Sequence, residues 1–246
     1  MYTRVVTLVG IAMCLATGAA AQNVDKPFTT WSKDDALKIM SDSPWAKKIE
    51  HTEPSSSLSA APNTRATGAN APVEQNGGPG IPSIVIQLHS GLPIREAIVR
   101  MQQIGSGYDK KSDADKAAFD ATTKAFLDCT VCNDYYVITI SKSRSREAPF
   151  AGMTTDDLKS KVKLVNDKGE ERELARFDAP RNIRDAAVLY FKRTDDKGST
   201  FLSEDSKEVK LVFAKDFLGG TPSADMVPAT SSFKISKMVV GGKLLF

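Results

Sequence analysis

The sequence predicts an α+β protein, with two or three helices packed on a largely antiparallel sheet and a sandwich-like C-terminal half. Two observations carry that expectation. Helical apolar periods are confined to the chain before Cys129. Beyond Asp134, short β-rich runs alternate with Gly- and Asp-containing turns, as in antiparallel sandwiches and barrel-like sheets. No internal repeat period is visible.

The first residues, MYTRVVTLVGIAMCLATGAAAQ, read as a secretory signal. Arg4 provides the positive start, Val5 to Thr17 the apolar run, and Ala19-Ala20-Ala21 a small-residue cleavage site before Gln22. Met13 stands where a lipobox needs a small residue before Cys14, so lipidation is not expected. Residues 1–21 are therefore expected to be removed, with the mature chain exported to the periplasm or beyond. Cleavage takes Arg4 away, leaving 32 basic residues against 30 acids, a net charge of +2. No later run reaches the roughly 18 apolar residues of a spanning helix. Lys47-Lys48 and KSRSR at 142–146 are the densest basic stretches, too little for the basic face that nucleic acid needs.

A first helix is expected after Ser32, a candidate N-cap with Asp35 at the third helical position. Ala36, Leu37 and Met40 repeat on one face, and Pro44 ends the pattern. Trp45, Lys47 and Ile49 then alternate as in extended chain. Residues 53–82 are rich in Pro, Gly, Ser, Ala and Asn without apolar periodicity, which predicts a flexible excursion inside one unit spanning 27–246. Whether it joins two strands of one sheet or two subdomains is left open at this stage.

Ser83–His89 is an expected strand, with Ile84, Ile86 and Leu88 on one face. Ser90 and Pro93 open a helix through Ile94, Ala97, Ile98, Met101 and Ile104, stopped by Gly105 and Gly107. A further helix runs from Ser112, its cap, to about Asp128, with Phe119 and Phe126 on one side. DYYVITISK follows as a strand, then a hairpin around Asn166-Asp167-Lys168-Gly169. Strands are expected over 185–193, 207–213, 232–240 and 243–246.

Cys129-Thr-Val-Cys132 is the chain's most conspicuous chemical motif. A redox couple wants this pair at the start of a helix, and here the helix precedes it. Zinc needs four ligands, yet beyond this pair the mature chain offers only His51 and His89. Haem attachment wants His where Asn133 stands. A structural Cys129–Cys132 disulfide at the helix-to-strand corner is the expected state in an oxidising compartment.

Other candidates are weaker. Ser90 adjoins His89, but neighbours on a strand point to opposite faces and make a poor nucleophile–base couple. The acid pairs Asp34-Asp35, Asp156-Asp157, Glu170-Glu171 and Asp195-Asp196 fall at helix starts or turns, although a glycosidase pair could form among them in space. Trp31 and Trp45 read as core anchors sooner than as stacking platforms. No nucleophile elbow, P-loop, dinucleotide fingerprint or HExxH occurs. No catalytic, cofactor-binding or metal-binding residue is assigned, and no cofactor is expected.

SPWAKKI (43–49), SGLPIREAIVRM (90–101) and the closing FKISKMVVGGKLLF (233–246) together resemble a family of uncharacterised exported bacterial proteins. Its members carry an SPWA-like helix end, a small-x-Pro-Val-Arg-x-Ala segment and a final strand pair ending in Gly-Lys-Leu. The Cys pair lies outside that pattern, and no activity or ligand comes with the resemblance. The expected function is that of an exported, non-catalytic binding or envelope-associated protein, its partner an unidentified ligand or envelope protein. The alternative is a hydrolase acting on cell-wall or extracellular polymer.

Overall fold

A computed structural model describes residues 23–50, 82–143, 147–224 and 226–246. The signal segment, His51 and almost the whole of the expected excursion 53–82 lie outside these residues. Five α-helices and twelve strands make up the described chain, every strand pair antiparallel. The α+β expectation holds.

The elements follow from local chemistry. A 3-10 turn at Phe28–Thr30 leads into α1 (Lys33–Ser41), where Ser32 and Asp35 form a reciprocal capping box. Two residues of β1 (Asp42–Ser43) then turn through Pro44 and Trp45 into β2 (Ala46–Glu50). β3 (Ser83–Leu88) pairs with β2, Glu50 lying opposite Ser83, so the excursion joins neighbouring strands of one sheet. α2 (Leu92–Gly105) begins after Gly91 with Pro93 in its first turn, where a missing N–H costs nothing. A second 3-10 turn at Tyr108–Lys110 links it to α3 (Asp113–Asp128), capped by Ser112.

β4 (Tyr135–Ser143) is followed by α4 (Thr155–Lys159), β5 (Val162–Asn166), β6 (Glu171–Glu173), β7 (Arg176–Asp178) and β8 (Ala187–Lys192). Then come β9 (Glu208–Phe213), α5 (Lys215–Gly219), β10 (Thr230–Lys234), β11 (Val239–Val240) and β12 (Lys243–Leu244). One sheet has the order β1-β2-β3-β4-β8-β7, a second β10-β9-β5-β6, and β11-β12 form a small ribbon.

Alternation assembles the core. Ile84, Ile86 and Leu88 of β3, with Ile138 and Ile140 of β4 and Leu189 and Phe191 of β8, lie on one face of the large sheet, all buried. They share one apolar cluster with Val162, Leu164, Val209, Leu211, Phe213 and Phe233 of the smaller sheet. On the opposite face of the large sheet lie α1, whose Met40 carbonyl accepts from Gln87 Nε2 at 2.6 Å, and the cysteine corner, packed on Val137 and Tyr190.

Three details differ from the periodic reading. The hairpin at 166–169 forms, but its second arm leaves after Glu173, and β7 joins the other sheet, anchored by Ala175 N–H to the Tyr190 carbonyl at 2.8 Å. The run 232–240 is not one strand. A 3-10 turn at Ile235–Lys237 interrupts it and turns both Ile235 and Met238, three residues apart, into the core. Helices α4 and α5, five residues each, are too short to leave an apolar period.

Trp45, 1% exposed, is a junction of distant segments. Its indole Nε1 donates to the Leu245 carbonyl at 2.7 Å, and its own carbonyl accepts from Leu88 N–H at 2.8 Å. Gly91 lies directly against the ring, where a Cβ would stand 2.5 Å from Trp45 Cδ1. The segments SPWAKKI, SGLPIREAIVRM and the chain's last strand pair therefore meet at one indole. Gly91→Ala should lower stability by about 1–3 kcal/mol, the usual cost of overpacking, measured as a reduced urea midpoint at unchanged slope.

Candidate functional site

Two buried arginines on α2 organise the region between the helices. Arg100, 7% exposed, donates through Nε to the Trp31 carbonyl at 2.8 Å and grips Asp109 with both terminal nitrogens at 3.0 and 3.1 Å. It thereby fixes the Phe28–Thr30 turn to one side of α2 and the Tyr108–Lys110 turn to its end. Arg100 also donates to Gln103 Oε1 at 3.3 Å, which sets the orientation of that amide. Arg95, 6% exposed, donates through Nε to the Leu127 carbonyl at 3.0 Å and through Nη1 to the carbonyls of Ser90 and His89 at 2.6 and 3.1 Å. It ties the end of α3 to the β3–α2 corner.

Helix α3 lies on these supports lightly. Thr123 is its only buried residue. Phe119 meets the edge of Tyr108 at 5.3 Å and Phe126 the edge of His89 at 5.4 Å between ring centroids. Between α3, the Phe28–Thr30 turn and the end of α2 opens a cleft of about 510 Å³, within the size range of small-molecule sites. Phe28, Ala121 and Leu127 supply apolar walls, and Thr29, Gln103, Asp120, Thr123, Lys124 and Asp128 the polar groups.

Gln103 is 1% exposed and lines the cleft, its Oε1 accepting from Arg100 Nη1. Asp120 accepts only the Tyr108 hydroxyl, at 2.8 and 2.9 Å to its two oxygens, and has no cation at ion-pair distance among the described residues. Asp128 is paired with Lys124 at 2.7 Å, one helical turn away.

The residues singled out from the sequence go elsewhere. The sulfurs of Cys129 and Cys132 stand at disulfide distance, 1.99 Å, both buried at the end of α3. Cys129 caps that helix with φ +43°, and Arg95 Nη1 lies 3.7 Å from Cys132 Sγ. Arg193 Nε donates to the Cys132 carbonyl at 2.6 Å. A helix C-terminus disfavours a thiolate, the reverse of the redox arrangement.

Ser90 is 1% exposed; its N–H donates to the Val137 carbonyl, and its hydroxyl accepts from Val137 N–H, so it clamps β4. His89 faces Phe126 instead, and burial, with a smaller contribution from the Arg95 charge, lowers its pKa to about 4. Each acid pair has one member committed to main chain or neighbour. Asp35 and Asp157 close capping boxes, Glu170 accepts from Asn166 Nδ2 at 2.8 Å, and Asp195 accepts from Lys197 and Ser199 N–H. Trp31 and Trp45 are buried to 1% and offer no stacking face. Among the described residues no three His, Cys, Asp or Glu side chains converge to hold a metal, and no helix is long and apolar enough to cross a membrane.

Sequence reasoning passed over Gln103 and Asp120. The signal available for Gln103 was its place four residues after Val99 on a buried stripe of α2, where an amide is out of pattern. Asp120 on an exposed helix carried no signal.

Two tests follow from this geometry. Cys129→Ser together with Cys132→Ser should cost at most about 2 kcal/mol, because the closed loop spans four residues, and alkylation of native protein should find no free thiol. The pH test concerns Glu96, whose pKa burial raises to about 7 against an opposing pull from Arg95. Its contribution to stability is fully present below the unfolded value of 4.5 and is lost as the pH rises through about 7. Glu96→Gln should thus gain on the parent protein across that window in chemical denaturation, and show no trend below it.

No family model, curated protein or solved structure matches the chain.

Proposed function

We propose that the chain is an exported, non-catalytic binding protein that takes its ligand between α2 and α3. The observation that carries this reading is the cleft of about 510 Å³ between the two helices, with Phe28 and Leu127 beside Gln103 and Asp120. A binding site needs an apolar enclosure and a few polar groups that converge on a ligand, and Phe28, Leu127, Gln103 and Asp120 have that composition. Against the hydrolase reading, one acid of each pair is spent on a cap, a turn or a neighbouring side chain. Export is supported by the apolar N-terminal run with its Ala-Ala-Ala site, and by the three segments resembling exported bacterial proteins.

Two measurements test the proposal. Protein recovered from an envelope fraction should begin at Gln22 by N-terminal mass spectrometry; an intact Met1 would overturn export. A chemically broad fragment library, read by ligand-observed NMR, should contain compounds whose binding is lost in Gln103→Met, with both proteins retaining the same circular dichroism spectrum. A cleft that takes no fragment, or fragments indifferent to Gln103, overturns the binding reading.

A further inference from the structure

We infer that the Cys129–Cys132 corner is a redox-responsive latch on α3, opened by thiol exchange with Cys132 as the departing sulfur. Two guanidinium groups converge on that residue. Arg95 Nη1 lies 3.7 Å from Cys132 Sγ, and Arg193 Nε donates to the Cys132 carbonyl at 2.6 Å. Arg95 is buried and has no carboxylate at ion-pair distance among the described residues; the charges of Glu96 and Asp128 act on it from farther off. A buried cation without a counter-ion in contact stabilises an anion that forms beside it. In the closed pair both sulfurs are neutral, and Arg95 goes without that anion. A Cys132 thiolate supplies it.

The two sulfurs differ in their surroundings. Cys129 is the C-cap of α3, where the helix dipole disfavours a thiolate. Cys132 lies beyond the helix, in the Thr130–Asn133 turn, and the Leu127 carbonyl at the helix end is already bound by Arg95 Nε. Cys132 is therefore the better leaving group, since the sulfur of lower pKa departs faster. Cys129 is the less buried of the two residues, and Thr130 next to it is exposed.

The exchange needs a reductant that supplies two thiols. The first, as thiolate, attacks Cys129 Sγ; the Cys129–Cys132 bond breaks, and its electron pair leaves on Cys132 Sγ. The second thiol displaces Cys129 from the mixed disulfide and passes its proton to that sulfur. The products are a Cys129 thiol, a Cys132 thiolate beside Arg95 and the oxidised reductant, with protons and charge conserved.

Opening the pair acts on α3 because the helix is lightly held. Thr123 is its only buried residue, and its other ties include the Arg95–Leu127 contact, the Tyr108–Asp120 hydrogen bond and the aromatic edges of Phe119 and Phe126. Cys129 holds a left-handed backbone, φ +43°, which is costly for a residue other than glycine and which ring closure helps to retain. Once the ring opens, Cys129 can leave that conformation and the last turn of α3 frays. α3 is also one wall of the cleft, so reduction loosens that wall whatever the cleft takes.

Three readings on the full chain test the latch. Reduced protein is labelled with iodoacetamide across a pH series and read cysteine by cysteine by mass spectrometry, which keeps Cys14 apart. Labelling of Cys132 should turn on about one unit or more below the ordinary thiol value of about 8.5, and labelling of Cys129 at or above it. Arg95→Gln, where circular dichroism shows the fold kept, should return Cys132 to the ordinary value; where the fold is lost, the unsubstituted protein decides. Structural disulfides resist glutathione, whereas this pair should open to it in native protein, with acid-quenched intermediates carrying glutathione on Cys129. After reduction, amides of residues 121–129 should exchange hydrogen about tenfold faster, with β3, β4 and β8 unchanged. A Cys132 midpoint at or above the ordinary value, or one that a folded Arg95→Gln protein leaves in place, overturns the role of Arg95. A pair that stays closed to glutathione, glutathione carried on Cys132, or unchanged exchange in α3 overturns the latch.

Discussion

A buried guanidinium without a carboxylate in contact is the constraint on which the helical layer depends. Arg95 is satisfied by three main-chain carbonyls, of His89, Ser90 and Leu127, and lies beside a cysteine sulfur. Burial lowers its pKa, which registers the cost of taking the charge out of water. Those carbonyls belong to the end of β3 and the end of α3, and α2 carries the arginine that joins them. Removing the side chain would leave three buried acceptors open at once, a larger loss than any single hydrogen bond. α3 buries little apolar surface of its own, so its position depends on this carbonyl contact and on the cysteine corner that follows it.

Arg193 repeats the arrangement elsewhere, and Arg100 combines a main-chain contact with its pairing to Asp109. Arg100 donates to the Trp31 carbonyl and Arg193 to the Cys132 and Phe246 carbonyls, with the Arg193 guanidinium 4.6 Å from the Tyr136 ring centroid. All three use the planar fork to reach groups far apart in sequence, which a lysine ammonium would not reproduce. For Arg95 and Arg193, which meet main-chain carbonyls, the charge adds little attraction. Its value lies in the number and direction of donors, which specify how segments meet.

Legibility in the sequence followed the range of the interactions. Ser32 with Asp35, Ser112 with Asp115 and Asn166 with Gly169 are contacts within four residues, and each helix start or turn formed where its residues indicated. The alternation of Ile84, Ile86 and Leu88 was equally local. The break at Ile235–Lys237 was not legible, because it answers to packing against the opposite sheet and not to propensity. Nor was the cleft. Arg95, Arg100 and Gln103 occupy inward positions of α2, where polar residues ordinarily mark the solvent side, and their partners lie up to 69 positions away in the chain. A periodic reading scores such residues as breaks in the apolar stripe.

The pairing of Glu50 with Ser83 has a consequence for how the chain tolerates change. The chain leaves β2 and re-enters β3 at directly opposed positions of the ladder. Closing such a loop depends only logarithmically on its length, with about 0.6 kcal/mol for each doubling. A flexible insertion between β2 and β3 would therefore cost the fold little, the two strand ends being already opposed. New chain termini opened at this point would leave every strand pair among the described residues intact, making it the natural place to circularly permute the molecule or to graft a second domain onto it.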